Sequence, residues 1–180
     1  MGFFRKLLGK SDVSVAPPAA AAAPVAAPVA PSGAPAAHRS VNYDAKLIES
    51  LLRDHAELGR LFGNIGDAEK TGNFSDVRAQ LVQFKTRLEA HILTENVRFY
   101  TYLDQSLGGD PNNASVMHDF RREMNGIARG VVDFVRKYQA CEFSAAERLQ
   151  FTTDYAAVGK LLEQRLDSEE NSLYPLYQPS

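Results

Sequence analysis

The chemistry in this chain is concentrated in five residues: His55, His91, Glu95, Arg165 and Glu169. His91 and Glu95 are four residues apart, and so are Arg165 and Glu169. On a helix that spacing stacks two side chains on one face, one turn apart. Each pair falls on a stripe that is otherwise apolar, and His55 interrupts a third such stripe. Carboxylates on a core-facing stripe are costly to bury without a cation or hydrogen bonds to compensate. Two imidazoles and two carboxylates converging in one interior would suit iron or manganese. The competing reading needs no metal: Arg165 neutralises Glu95 and Glu169, and the histidines are hydrogen-bonded.

The elements that must position these groups are helical. Four segments show 3-and-4 apolar spacing. Segment A (43–67) carries Ile48, Leu51, His55, Leu58, Phe62 and Ile65. Segment B (75–104) carries Val77, Leu81, Phe84, Leu88, His91, Glu95 and Phe99. Segment C (113–140) carries Met117, Phe120, Met124, Ile127, Val131, Phe134 and Tyr138. Segment D (145–173) carries Phe151, Tyr155, Val158, Leu162, Arg165, Glu169 and Leu173. Thr71-Gly72-Asn73 separates A from B, and Gly108-Gly109-Asp110-Pro111 separates B from C. Ser144 and Glu147 form a capping box that opens D, and Pro175 closes it. No stretch alternates with period two over a strand's length. The fold expected is all-α: an antiparallel up-down four-helix bundle over residues 41–177, its short connections forcing adjacent helices to run in opposite directions.

Two shorter regions precede the bundle. Residues 11–40 hold six of the nine prolines among alanines and valines. Such a composition favours extended backbone over a packed core, so it reads as a disordered Ala/Pro-rich linker. Residues 1–10, MGFFRKLLGK, put Phe3, Phe4, Leu7 and Leu8 on one side and carry Arg5, Lys6 and Lys10. This basic amphipathic segment suits an anchor at a membrane surface or in a partner's groove. It reads equally as a frayed, solvated terminus, since ten residues make a marginal helix.

Composition excludes several classes. A net charge of -2 argues against general nucleic-acid binding. A single cysteine, Cys141, excludes a disulfide framework and any multi-cysteine metal cage. No apolar run reaches the ~18 residues of a membrane span. The location expected is therefore cytoplasmic, with the first ten residues allowing peripheral membrane contact. No Glu-x-x-His occurs, so the ferritin-type di-iron motif is absent. Nothing supports Ser/His/Asp or Cys/His catalysis. A binding or regulatory module with a protein partner is expected rather than an enzyme.

Three stretches carry a resemblance. Leu51-Leu52-Arg53-Asp54-His55-Ala56-Glu57-Leu58, His91-Ile92-Leu93-Thr94-Glu95 and Glu169-Glu170-Asn171-Ser172-Leu173-Tyr174-Pro175 resemble the hemerythrin (HHE cation-binding) family. The resemblance implies a four-helix bundle holding two irons bridged by two carboxylates. Helices A and B give histidines to one iron, and C and D to the other. His55 and His91 match the first pair, and Glu95 and Glu169 match the bridges. The departures fall on the other iron. Arg165 stands where the family has the helix D histidine. On helix C, Met117 rather than His118 has the family's relation to Phe120 and Met124. At about 100° per residue, His118 lies more than about 90° from the centre of its stripe, on an exposed flank. The expectation is a partly lost di-iron site that holds one iron, or no metal at all.

Leu162-Glu163-Gln164-Arg165 with Glu169 and Glu170 also resembles the last helix of the regulator of sigma D family of anti-sigma proteins. That resemblance implies a metal-free bundle whose surface binds a sigma factor. The two readings differ in one observable, the metal content.

Overall fold

The computed structural model describes residues 41–107, Gly109 and residues 111–179. The expected basic segment at 1–10 and the Ala/Pro-rich linker at 11–40 lie outside the described residues. The described chain contains helices and no strands: α1 (Leu47–Lys70), α2 (Phe74–Thr94), α3 (Thr101–Leu107), α4 (Pro111–Gln139) and α5 (Ala145–Ser168). A π-helical turn, Glu95–Tyr100, joins α2 to α3 without a break, and a second, Glu169–Leu173, continues α5. Segments A to D thus become four rods. The end of D runs into a 3-10 turn, Tyr174–Leu176, with Pro175 inside it.

The expected punctuation is present. Gly72 adopts φ +72° just after α1, a left-handed conformation that glycine reaches without Cβ strain. The Asn73 side chain then caps α2 by accepting from the Asp76 amide at 3.2 Å. The Ser144 hydroxyl accepts from the Glu147 amide, and the Glu147 carboxylate accepts from the Ser144 amide at 2.7 Å. Cys141 is buried just past α4. No helix among the described residues is long and apolar enough to cross a membrane.

Cross-rod contacts order the bundle. His55 meets His91 and Glu170, while Phe62 meets Phe84 and Tyr155. Partner numbers fall along α2 and α5 as numbers rise along α1. The apolar interior comes in two clusters. The larger joins Leu58, Phe62 and Ile65 to Leu81, Phe84, Val131, Phe134, Phe151 and Leu162. The smaller joins Leu47 and Leu51 to Phe99, Leu103, Met117, Leu173 and Tyr177. On α1, His55 lies between Leu51 and Leu58. His91 and Glu95 lie between Leu88 and Phe99, and Arg165 and Glu169 between Leu162 and Leu173. All five interrupting residues are buried. A charged layer therefore separates the two apolar cores.

Candidate metal centre

Each member of that layer is delivered by the stripe on which the sequence places it. α1 supplies His55, α2 supplies His91, and α5 supplies Arg165. Glu95 and Glu169 are each the first residue of a π turn. Such turns are rare and recur at functional sites. One donor atom from each of His55, His91, Glu95 and Glu169 falls within 4.8 Å of all the others. The four residues expected to converge do converge.

Arg165 enters the same space. Its Nη2 lies 2.5 Å from Glu95 Oε2 and 2.7 Å from Glu169 Oε1, and its Nη1 donates to the Met124 carbonyl at 2.9 Å. The two His Nε2 atoms are 3.2 Å apart. His55 Nδ1 donates to Glu170 Oε1 at 2.8 Å. His55 Nε2 lies 3.3 Å from Glu169 Oε2 and 3.0 Å from the Tyr174 hydroxyl. That hydroxyl in turn donates to Glu95 Oε1 at 3.0 Å. A proton on each nitrogen of His55 satisfies this network.

The electrostatics follow from burial and neighbours. Burial opposes charge on His55, but the close Glu169 carboxylate and the hydrogen bond to Glu170 outweigh it and raise its pKa to about 9. Burial, reinforced by the positive His55 and Arg165, pushes His91 down to about 2. Burial and the nearby Glu169 carboxylate push Glu95 up to about 7, against the pull of Arg165. Glu170 is held below the usual range, first by its hydrogen bond from His55. Burial, then Glu95 and Glu169, hold the Tyr174 phenol neutral. The cluster therefore pairs two cations, His55 and Arg165, with carboxylates, and keeps His91 neutral and free to offer a lone pair.

Several buried polar atoms of the layer are left short, His91 Nδ1 and Arg165 Nε among them. Both Glu169 oxygens are buried without a well-directed hydrogen bond. The Arg165 nitrogen is close to one of them, but its N–H does not point along the contact. A buried carboxylate in that state is costly, and a cation among the four donors would satisfy it. Two imidazole nitrogens and two carboxylates are an acceptable set for iron, manganese or zinc. His55 has Glu170 behind its outer nitrogen, the arrangement that orients ligating histidines. The residues present fit a cation.

His118 stands apart, as its register implies: its side chain is 74% exposed and 3.7 Å from Asp119. Met117 is buried, within the smaller apolar cluster. Sequence reasoning gave no role to Glu170 or Tyr174, and did not mark Tyr100, whose buried hydroxyl has no hydrogen-bond partner among the described residues. Tyr100 is five residues after Glu95, and Tyr174 five after Glu169. On an α-helix, +5 is about 140° off the face. A π turn closes with i→i+5 bonds, which returns that residue to the same side. Recognising the Glu-x4-Tyr repeat would have been the available signal.

An all-helical bundle whose interior gathers imidazoles and carboxylates defines a class, the cation-binding helical bundle. The family model described as the hemerythrin HHE cation binding domain matches residues 46–177, and the chain belongs to that family. No curated protein and no solved structure matches it.

Proposed function

We propose that this bundle is a regulatory module that binds one metal ion, with iron as the expected occupant, and that Arg165 takes the place of a second ion. The observation that carries the reading is the Arg165 guanidinium lodged within reach of both Glu95 and Glu169. These match the carboxylates that would bridge two irons. His55, His91, Glu95 and Glu169 would hold the single ion. Charge supports that number. One divalent ion with Arg165 balances Glu95, Glu169 and Glu170 once His55 gives up its proton. A second divalent ion would leave the layer strongly positive in a low-dielectric interior, where uncompensated charge is expensive. The exposed His118 and the apolar surroundings of Met117 offer no replacement nitrogen on α4.

A sensing or regulatory role, through a protein partner, fits a site that is wholly buried and tied to several helices. His55, His91 and Glu95, and Arg165 and Glu169 belong to three different rods, so occupancy would alter how those rods are held together. Catalysis would need an open coordination position and a substrate pocket beside it. The donors are instead closed over by side chains.

The second reading, a metal-free interaction bundle of the anti-sigma kind, is favoured by the same arginine. The layer already contains two cations against its carboxylates. Elemental analysis of protein purified under anaerobic, iron-replete conditions separates the two. One metal per chain is expected, lost in His55→Ala and in His91→Ala and kept in His118→Ala. Two metals per chain, or a His118→Ala variant as empty as His91→Ala, would overturn the single-ion reading. No metal would favour the interaction bundle.

A further inference from the structure

The proposed ion has a further neighbour among the described residues. The Tyr174 hydroxyl is 3.0 Å from His55 Nε2 and 3.0 Å from Glu95 Oε1. Both residues belong to the four-donor set, whose atoms are spread over 4.8 Å. The phenol oxygen is thus nearer to two donors than the most distant donors are to each other. Its ring is 4% exposed, stacked on His55 at 5.5 Å and held edge-on by Phe99 at 5.2 Å. It therefore has little freedom to swing away, and the π turn beginning at Glu169 carries it to this position.

We propose that Tyr174 is a fifth ligand of the cation site, its phenolate oxygen joining His55, His91, Glu95 and Glu169 and suiting the site to iron(III). This deepens the single-ion reading and rests on it. Three oxygens of negative charge and two imidazoles make a hard, oxygen-rich set. With Glu170 behind His55, the carboxylates and phenolate carry four negative charges, matched by iron(III) and Arg165. On binding, the Tyr174 O–H bond and the His55 Nε2–H bond break, O–Fe and N–Fe bonds form, and two protons are released. Both protons leave to the buffer. Iron enters already as iron(III), so no electron is transferred.

The test is spectroscopic. Full-length metal-free protein is titrated with ferric nitrilotriacetate, and bound iron is counted after gel filtration. The expected result is a visible phenolate-to-iron charge-transfer band that grows with bound iron, with tyrosinate ring modes in resonance Raman. Tyr174→Phe should remove the band and weaken iron binding at least about tenfold, the lower end of what loss of even an outer partner costs a metal site. Tyr100→Phe should keep the band. A hydrogen-bonding role alone would change affinity without producing any band in the parent protein. Iron bound without the band, or a band that survives Tyr174→Phe or vanishes in Tyr100→Phe, overturns Tyr174 as ligand and leaves the single-ion reading standing. Failure to bind either iron(III) or a divalent metal removes both. If Tyr174→Phe does not fold, the parent's Raman modes and the Tyr100→Phe spectrum decide the matter.

Discussion

Replacing Arg165 with methionine keeps much of the side-chain volume and removes the charge. In the metal-free protein Arg165 is 3% exposed and holds Glu95, Glu169 and the Met124 carbonyl. Each guanidinium–carboxylate contact is worth about 4 kcal/mol at charge separations near 4 Å and an effective dielectric of about 20. The cost of desolvating the arginine offsets much of that. Removing one partner of a buried pair costs about 3–5 kcal/mol net, because the other charge stays buried. The matched domain spans residues 46–177. For a domain of this size, Tm moves by about 3–4 °C per kcal/mol, so a fall of roughly 10–20 °C is expected. The assay is urea and thermal unfolding followed by circular dichroism, in chelator. Divalent metal at about 100 times its Kd should return about 2.7 kcal/mol through binding to the folded state. Arg165→His should raise the metal content above one per chain, since imidazole can ligate where guanidinium cannot. A loss below about 1 kcal/mol in chelator would refute the idea that this arginine holds the carboxylates together.

Other expectations concern pH and packing. The His55 pKa, raised to about 9 from 6.5, contributes stability that is complete below pH 6.5 and is lost as pH rises through 9. The metal-free protein should therefore weaken by about 3 kcal/mol over that interval, and His55→Ala should flatten the trend in unfolding midpoints. Because a ligating imidazole must shed that proton, affinity for a divalent ion should climb about tenfold per pH unit between about pH 7, above which Glu95 is ionised, and about pH 9, rather than levelling off near the free histidine value of about 6.5. A profile flat above pH 7 would show that His55 is already neutral. Gly66→Ala would place a Cβ 2.5 Å from the Tyr155 hydroxyl, which donates to the Phe62 carbonyl at 2.9 Å. That overpacking should cost about 1–3 kcal/mol, read by denaturant unfolding, and Tyr155→Phe should relieve part of it.

The rods were legible because their stripes are long and their ends are marked. Ser144 with Glu147, Gly72 and Asn73 each do locally what the residue type allows. The donors were legible for the same reason: a histidine or glutamate in a stripe of leucines must be buried if the stripe is. His118 could be set aside by phase alone. The π turns could not be read, because the 4-residue step from Glu95 to Phe99 fits an α-helix as well. That ambiguity hid Tyr100 and Tyr174. Glu170 was hidden differently. It lies one residue off its stripe, and only the approach of His55 from α1 reveals its use. The direction of the His55 shift was equally beyond the sequence, since burial and the two carboxylates oppose each other and distance decides.

Among the described residues, α4 lends no side chain to the charged layer. Its polar tie there is the Met124 carbonyl, which accepts from Arg165. The other rods are cross-linked by hydrogen bonds and ion pairs, so they would stiffen together when the layer fills. α4 would feel the change only through how Arg165 is aimed. An arginine drawn toward or away from the carboxylates by a new cation would tug on one backbone oxygen near the middle of a 29-residue helix. In mechanical terms α4 is the pointer and the other three rods are the frame. Hydrogen exchange along α4, compared with and without metal, is where occupancy of the centre would be written on the outside of the protein.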